Sequence, residues 1–208
     1  MSNSGYRFPA VALALLMLAA FVAAAYELPL SPESVREAYF LGRHGQHARD
    51  FLDRYSKILP ASQSSELEFS RVQILTPYAQ IVSAALQDML NDTAVDADQY
   101  YQGRSLPVLI KLWVYCPSAS GYSSVPFDRC SDSIRRTSIA VSQFRGIHAQ
   151  DTTYTTLYTA TKDAKWPDGV EVELQFSASQ FQSAPVQISI ATPDGQHAEA
   201  TFDLAALK

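Results

Sequence analysis

Pro185-Val186-Gln187-Ile188-Ser189-Ile190-Ala191, then Thr192-Pro193-Asp194-Gly195, then Gln196-His197-Ala198-Glu199-Ala200-Thr201-Phe202-Asp203-Leu204, is the stretch whose reading decides the fold. Val186, Ile188 and Ile190 alternate with Gln187 and Ser189; Ala198, Ala200, Phe202 and Leu204 alternate with Glu199, Thr201 and Asp203. A period of two puts the apolar set on one face of an extended chain and the polar set on the other. Between the two runs, Pro193 pre-sets a turn backbone dihedral and Gly195 tolerates the left-handed region. The stretch therefore predicts an antiparallel hairpin with one face buried.

Working upstream, the same period recurs. Val170, Val172, Leu174 and Phe176 alternate with Glu171, Glu173 and Gln175. Pro107 to Cys116 reads as an apolar strand, with Val108, Ile110, Leu112 and Val114 facing one way and Trp113 and Tyr115 the other. Shorter strands are predicted over Ser138 to Phe144 and Tyr154 to Thr159. From Glu66 to Thr76 the alternation slips by one residue at Ser70-Arg71, which predicts a bulge, because a slip moves every later side chain to the other face. Pro117 to Asp132, rich in Ser, Gly and Pro, reads as a long loop.

Helical signals gather earlier. Ser31 suits an N-cap, Pro32 the first helical position and Glu33 the positive end of the dipole. Val35, Ala38 and Tyr39 share a face, and Gly42 reads as the stop. A second helix is predicted over about Gln46 to Lys57. After Pro77, Tyr78, Ile81, Val82, Ala85, Leu86 and Met89 fall on one helical face, and a short polar helix is expected around Ala94 to Tyr101. The fold class expected is α+β: N-terminal helices followed by a mainly antiparallel, β-sandwich-like sheet. In this reading residues 26–208 form a single mature domain, helix-rich over 31–103 and strand-rich over 107–208.

The remaining residues, 1–25, read as a secretory signal peptide. Arg7 is the only charge, Phe8 to Ala25 carries none, and Ala23-Ala24-Ala25 supplies small residues at the exit. The competing reading is an uncleaved anchor, since about 18 apolar residues can just cross a bilayer core. Cleavage leaves 183 residues, with 15 of the 16 Lys and Arg and all 21 Asp and Glu, a formal charge of −6. That balance argues against a nucleic-acid partner, which needs a clustered basic face. No second apolar run is long enough to span a membrane, so the mature domain is expected not to cross one. In an oxidising compartment Cys116 and Cys130 read as a disulfide, with two free buried thiols as the alternative. The expected location is exported, periplasmic or extracellular.

Several segments together resemble an uncharacterised family of exported bacterial proteins: Ser31-Pro32 with Val35 to Gly42 (SPxxVREAYFLG), Leu75 to Gln80, and Ala184-Pro185-Val186 through Thr192-Pro193-Asp194-Gly195-Gln196 to Phe202-Asp203-Leu204. The resemblance implies export and a strand-rich C-terminus. It brings no function and no catalytic residue.

A second, local resemblance carries chemistry. Leu41-Gly42-Arg43-His44-Gly45-Gln46 resembles the signature of histidine phosphatases and phosphoglycerate mutases, in which the His takes up a phosphoryl group and arginines stabilise its oxygens. It implies His44 as nucleophile, Arg43 with Arg135 or Arg136 as phosphate clamp, and His148 or His197 as partner. The chain departs from that family in three respects. The motif ends a predicted helix instead of a strand, Asp50 stands where an Asn is usual, and the antiparallel C-terminus does not suit a parallel α/β sheet. The plainer reading is a solvated turn between two helices.

His44 and His47 also form His-x-x-His, but no third ligand falls at metal spacing and surface histidines are the simpler account. No metal and no cofactor is expected. Tyr100-Tyr101, Trp113 and Tyr115 offer aromatic faces of the kind that floor a sugar site, although such residues are more often core. Arg135-Arg136 reads as a basic, solvated strand edge. The sequence thus favours a non-enzymatic exported protein with a structural or binding role, its partner another envelope protein or a glycan. The alternative is a secreted phosphoryl-transfer enzyme centred on His44.

Overall fold

A computed structural model describes residues 30–60, 67–93, 106–116, 127–160 and 165–207 of the chain. The expected signal peptide, the polar helix near Ala94 to Tyr101 with its tyrosine pair, and most of the segment between Cys116 and Cys130 lie outside these residues. Among them are four α-helices: α1 (Pro32–Gly42), α2 (Gln46–Asp53), α3 (Pro77–Leu90) and α4 (Phe127–Arg135). Nine strands follow the order β1 (Ser56–Ile58), β2 (Glu68–Leu75), β3 (Val108–Tyr115), β4 (Ser138–Ser142), β5 (Gly146–Ile147), β6 (Asp151–Ala160), β7 (Lys165–Phe176), β8 (Pro185–Ala191) and β9 (His197–Asp203). They form a five-stranded sheet, β1-β2-β3-β7-β6, and a four-stranded sheet, β5-β4-β8-β9, with every neighbouring pair antiparallel. The architecture is α+β.

The decisive stretch forms the β8–β9 hairpin, pairing Val186 with Phe202, Ile188 with Ala200 and Ile190 with Ala198. All six side chains are buried. Gly195 closes the turn at φ 88°, a backbone region that L side chains rarely adopt. In β3 the buried positions are Val108, Ile110, Leu112 and Val114, facing Phe176, Leu174, Val172 and Val170 of β7. The register of β2 on β3 shifts between Phe69 and Arg71, where the alternation slips, so Phe69, Val72 and Ile74 all reach the core. One contiguous apolar core takes side chains from both sheets and all four helices.

The helices begin as their capping residues dictate. The Ser31 hydroxyl accepts the Ser34 N–H, and the Thr76 hydroxyl accepts the Ala79 N–H, each ahead of a proline. The α3 face bearing Tyr78, Ile81, Val82, Ala85 and Leu86 is buried, as its periodicity predicts. Burial, then the neighbouring Glu37 carboxylate, raises the Tyr78 hydroxyl well above its ordinary titration range.

Four expectations need correction. The second helix stops at Asp53 and the chain turns into β1, because Ser56, Lys57 and Ile58 pair with Gln73, Val72 and Arg71. Phe127 to Asp132 is not loop but the greater part of α4, whose Cys130, Ser133 and Ile134 are buried. Arg135 and Arg136 are accordingly no strand edge. Arg135 closes α4, where a cation meets the negative end of the helix dipole, and Arg136 lies in the following turn. Gly42 does not stop α1 by a left-handed backbone. It is the last helical residue, and a Cβ there would meet the Val82 carbonyl oxygen at 2.5 Å and the Ala85 Cβ at 2.6 Å on α3.

Cys116, just past β3, is bonded to Cys130 on α4 across a Cα–Cα distance of 6.1 Å. The pair is buried. It ties the helix to the end of the central strand of the larger sheet.

Candidate functional site

Two places gather side chains capable of chemistry or recognition. The first is the turn between α1 and α2. There Gly45 sits at φ 41°, and His44 and His47 are exposed. The His44 Nδ1 donates to the Phe40 carbonyl oxygen at 2.6 Å. Arg43 points elsewhere and donates to the Thr93 carbonyl at 3.1 Å. A hollow beside this turn is lined by Leu41, His44, His47, Asp50, Phe51 and Arg54. Asp50 accepts from the Gln46 amide at 2.6 Å, and the Arg54 guanidinium stacks on the Phe51 ring with 5.1 Å to its centroid.

The other residues implied by the phosphatase resemblance are placed on other elements. The Arg135 guanidinium lies over the Tyr154 ring of β6, 4.8 Å from its centroid, and Arg136 donates back to the Asp132 carbonyl. His148 lines a separate hollow with Arg145, Gly146, Ile147 and Gln180, and His197 opens β9 opposite Ala191. None of these four lines the His44 hollow. Among the described residues, no group of three or more His, Cys, Asp or Glu side chains gathers closely enough to hold a metal ion.

The second place is the face of the five-stranded sheet turned away from the core. Pairing aligns its side chains in rows across the strands. One row runs Ile58, Arg71, Trp113, Glu171, Thr155; the next runs Ser56, Gln73, Lys111, Glu173, Thr153. At 4.7–4.9 Å per strand each row spans about 19 Å. The Arg71 guanidinium stacks on the Trp113 ring, 4.1 Å from its centroid. Lys111 bridges Glu171 at 2.9 Å and Glu173 at 3.1 Å. Burial alone would lower the Lys111 ammonium, but its bonds to the two carboxylates outweigh that and hold it above the ordinary lysine value. Tyr115 packs beside Gly169 of β7, where any Cβ would lie 3.0 Å from its ring and 2.5 Å from the Val114 carbonyl oxygen. Trp113 and Tyr115 are thus half-buried on the outward face and are not core, contrary to the commoner expectation for such residues.

Sequence reasoning placed Trp113 and Tyr115 opposite the apolar face of their strand, but it missed Arg71, Lys111, Glu171 and Glu173 as their companions. The signal was the polar half of each alternation. What the sequence lacks is the register that brings the polar halves of β2, β3 and β7 into line.

α3 borders this face, where Leu75, Ile81, Ala84, Leu106 and Leu109 line an apolar cleft that Lys111 and Gln80 share. Among the described residues, no helix is long and apolar enough to cross a membrane. No protein-family model, no curated protein and no solved structure matches the chain.

Proposed function

We propose that the chain is an exported, non-enzymatic binding protein, acting in the periplasm or outside the cell, and that the outward face of its five-stranded sheet takes a glycan. The supporting observation is the composition of that face. Trp113 and Tyr115 supply planar, amphipathic rings, and Gln73, Lys111, Glu171, Glu173, Thr153 and Thr155 supply hydrogen-bonding groups around them. At the centre of the face Arg71 and Lys111 match Glu171 and Glu173 in number, while Glu68 and Asp151 add acid at its ends, so the central part suits a neutral, hydroxyl-rich ligand. The buried Cys116–Cys130 bond supports an oxidising compartment, in keeping with the apolar segment over Phe8 to Ala25. The resemblance to exported bacterial proteins points the same way, and a sandwich-like stacking of two sheets is a common scaffold for such surfaces.

The test is titration calorimetry of the purified protein against a panel of neutral and acidic oligosaccharides. Trp113→Ala is expected to weaken the best ligand at least about tenfold, a loss of about 1.4 kcal/mol. Glu173→Gln, which keeps the side-chain shape, weakens it while leaving the far-ultraviolet spectrum unchanged. Binding indifferent to both substitutions, or none across the panel, overturns the proposal. The phosphoryl-transfer alternative requires an arginine and a second histidine beside His44. Phosphate-ester hydrolysis that collapses in His44→Ala would replace the present reading with that one.

A further inference from the structure

We propose that two copies of this chain join through β6 into one continuous antiparallel sheet. The argument starts from the edges of the two sheets. A terminal strand presents unpaired N–H and C=O groups, and proteins that stay monomeric blunt such edges by shortness, charge, proline or a bulge. Three of the four edges are blunted in these ways: β1 has three residues, β5 has two, and β9 carries His197, Glu199 and Asp203 on exposed positions. The fourth, β6, has none of these guards. Its ten residues, Asp151-Thr152-Thr153-Tyr154-Thr155-Thr156-Leu157-Tyr158-Thr159-Ala160, contain one charge, no proline and no lysine. Its register with β7 shifts between Leu157 and Tyr158, but the extra residue there is Asp168 of β7, so β6 itself runs without a bulge. Among the described residues β6 is paired on one side only.

The side-chain pattern selects the occupant. Thr and Tyr favour the pleated, half-buried surface of an interior strand, and the strand is self-complementary in charge. A two-fold axis perpendicular to the sheet beside Thr155 sets Tyr154 opposite Thr156 and Thr153 opposite Leu157. It also carries the two Asp151 side chains to opposite ends, where each faces Thr159 and not the other. A two-fold of this kind keeps side chains on their own faces: Thr153 and Thr155 of both copies stay on the side of Trp113, and Tyr154 on the side of the core. The joined sheet has ten strands and places the two outward faces side by side, so a polymeric ligand would engage both. The contact is a strand edge, small by the standards of stable dimers, so the dimer is expected to dissociate in the micromolar range.

The experiment is sedimentation of the purified, disulfide-intact protein across a micromolar concentration series. Three samples are compared: wild type, Thr155→Lys, and an equimolar mixture of Thr155→Lys with Thr155→Glu. Thr155 is exposed, and near-ultraviolet circular dichroism checks that both variants stay folded. Wild type is expected to move from one chain mass to two as concentration rises. Thr155→Lys sets like charges opposite each other and raises the dissociation constant about tenfold or more. The mixture sets unlike charges opposite each other and recovers the dimer. Wild type that remains a monomer at the highest concentration overturns the proposal. So do a dimer that Thr155→Lys leaves intact, and growth into open-ended assemblies. The glycan reading stands or falls separately, because Trp113→Ala leaves this edge unaltered.

Discussion

At the scale of single residues, position and not identity decides what a side chain does here. Gly42 reads in sequence as a helix stop, yet its role is to let α1 approach α3, since the space for a Cβ is already taken by the Val82 carbonyl and Ala85. Gly42→Ala should therefore destabilise the fold by about 1–3 kcal/mol, as overpacking does, despite alanine's better helix propensity. Urea unfolding measures this, and a midpoint equal to or above wild type would show that the two helices can separate freely. Lys111 is the second case. Its ammonium is held above the ordinary lysine value by Glu171 and Glu173 against the opposing effect of burial. A raised folded value stabilises wherever the group is protonated in both states, below about pH 10.4, and the gain disappears as pH rises through the folded value. The stability gap between wild type and Lys111→Met is therefore expected to be constant near neutrality and to shrink in the alkaline range. A gap that widens with pH would contradict the assignment.

At the scale of elements, what the sequence made legible were those whose pattern is local. The strands β2, β3, β7, β8 and β9 announce themselves by alternation, and α3 by its apolar face, because a buried face imposes its period on the chain. The bulge in β2 was legible for the same reason, as a break in that period at Ser70-Arg71. α4 was overlooked, although Phe127, Cys130 and Ile134 recur at helical spacing, because the polar residues between them and the loop composition before them outweighed three apolar positions. β1 was overlooked because three residues cannot show a period; only pairing with Arg71, Val72 and Gln73 makes Ser56–Ile58 a strand. The sheet face was half legible, since Trp113 and Tyr115 stood out while their neighbours belong to other strands. The disulfide joins two such elements, and its contribution is an element-scale quantity. Closing a loop of about 15 residues stabilises by about 3 kcal/mol in the chain-entropy model. Because α4 meets the larger sheet beside Cys116, replacing both cysteines by serine should lower the unfolding midpoint and loosen α4 first. Amide exchange over Phe127 to Arg135 would report it, and unchanged protection there would mean that packing of Phe127 and Ile134 alone holds the helix.

At the scale of the whole molecule, the question is whether two sheets make one folding unit. No strand of one sheet pairs with a strand of the other: β1, β2, β3, β6 and β7 build one sheet, and β4, β5, β8 and β9 the other. Two features bind them into a unit. Chain order crosses between the sheets repeatedly, and one apolar core holds Ile110, Leu112, Val172 and Phe176 together with Val186, Ile188, Ile190 and Phe202. Lys57 of β1 also lies over the Phe202 ring of β9, 5.4 Å from its centroid. Both tryptophans, Trp113 and Trp166, belong to the five-stranded sheet, so their fluorescence reports that sheet alone. Ile188 belongs to the other sheet and is fully buried. Ile188→Ala removes about 2–5 kcal/mol of packing from the sheet that holds neither indole. If the core is shared, this substitution moves the tryptophan midpoint and the circular dichroism midpoint together and by equal amounts, as a two-state unit requires. Were the fluorescence transition to stay in place while the dichroism transition moved, the sheets would be two units that merely touch. The outward face of the larger sheet would then keep its shape without the β8–β9 hairpin.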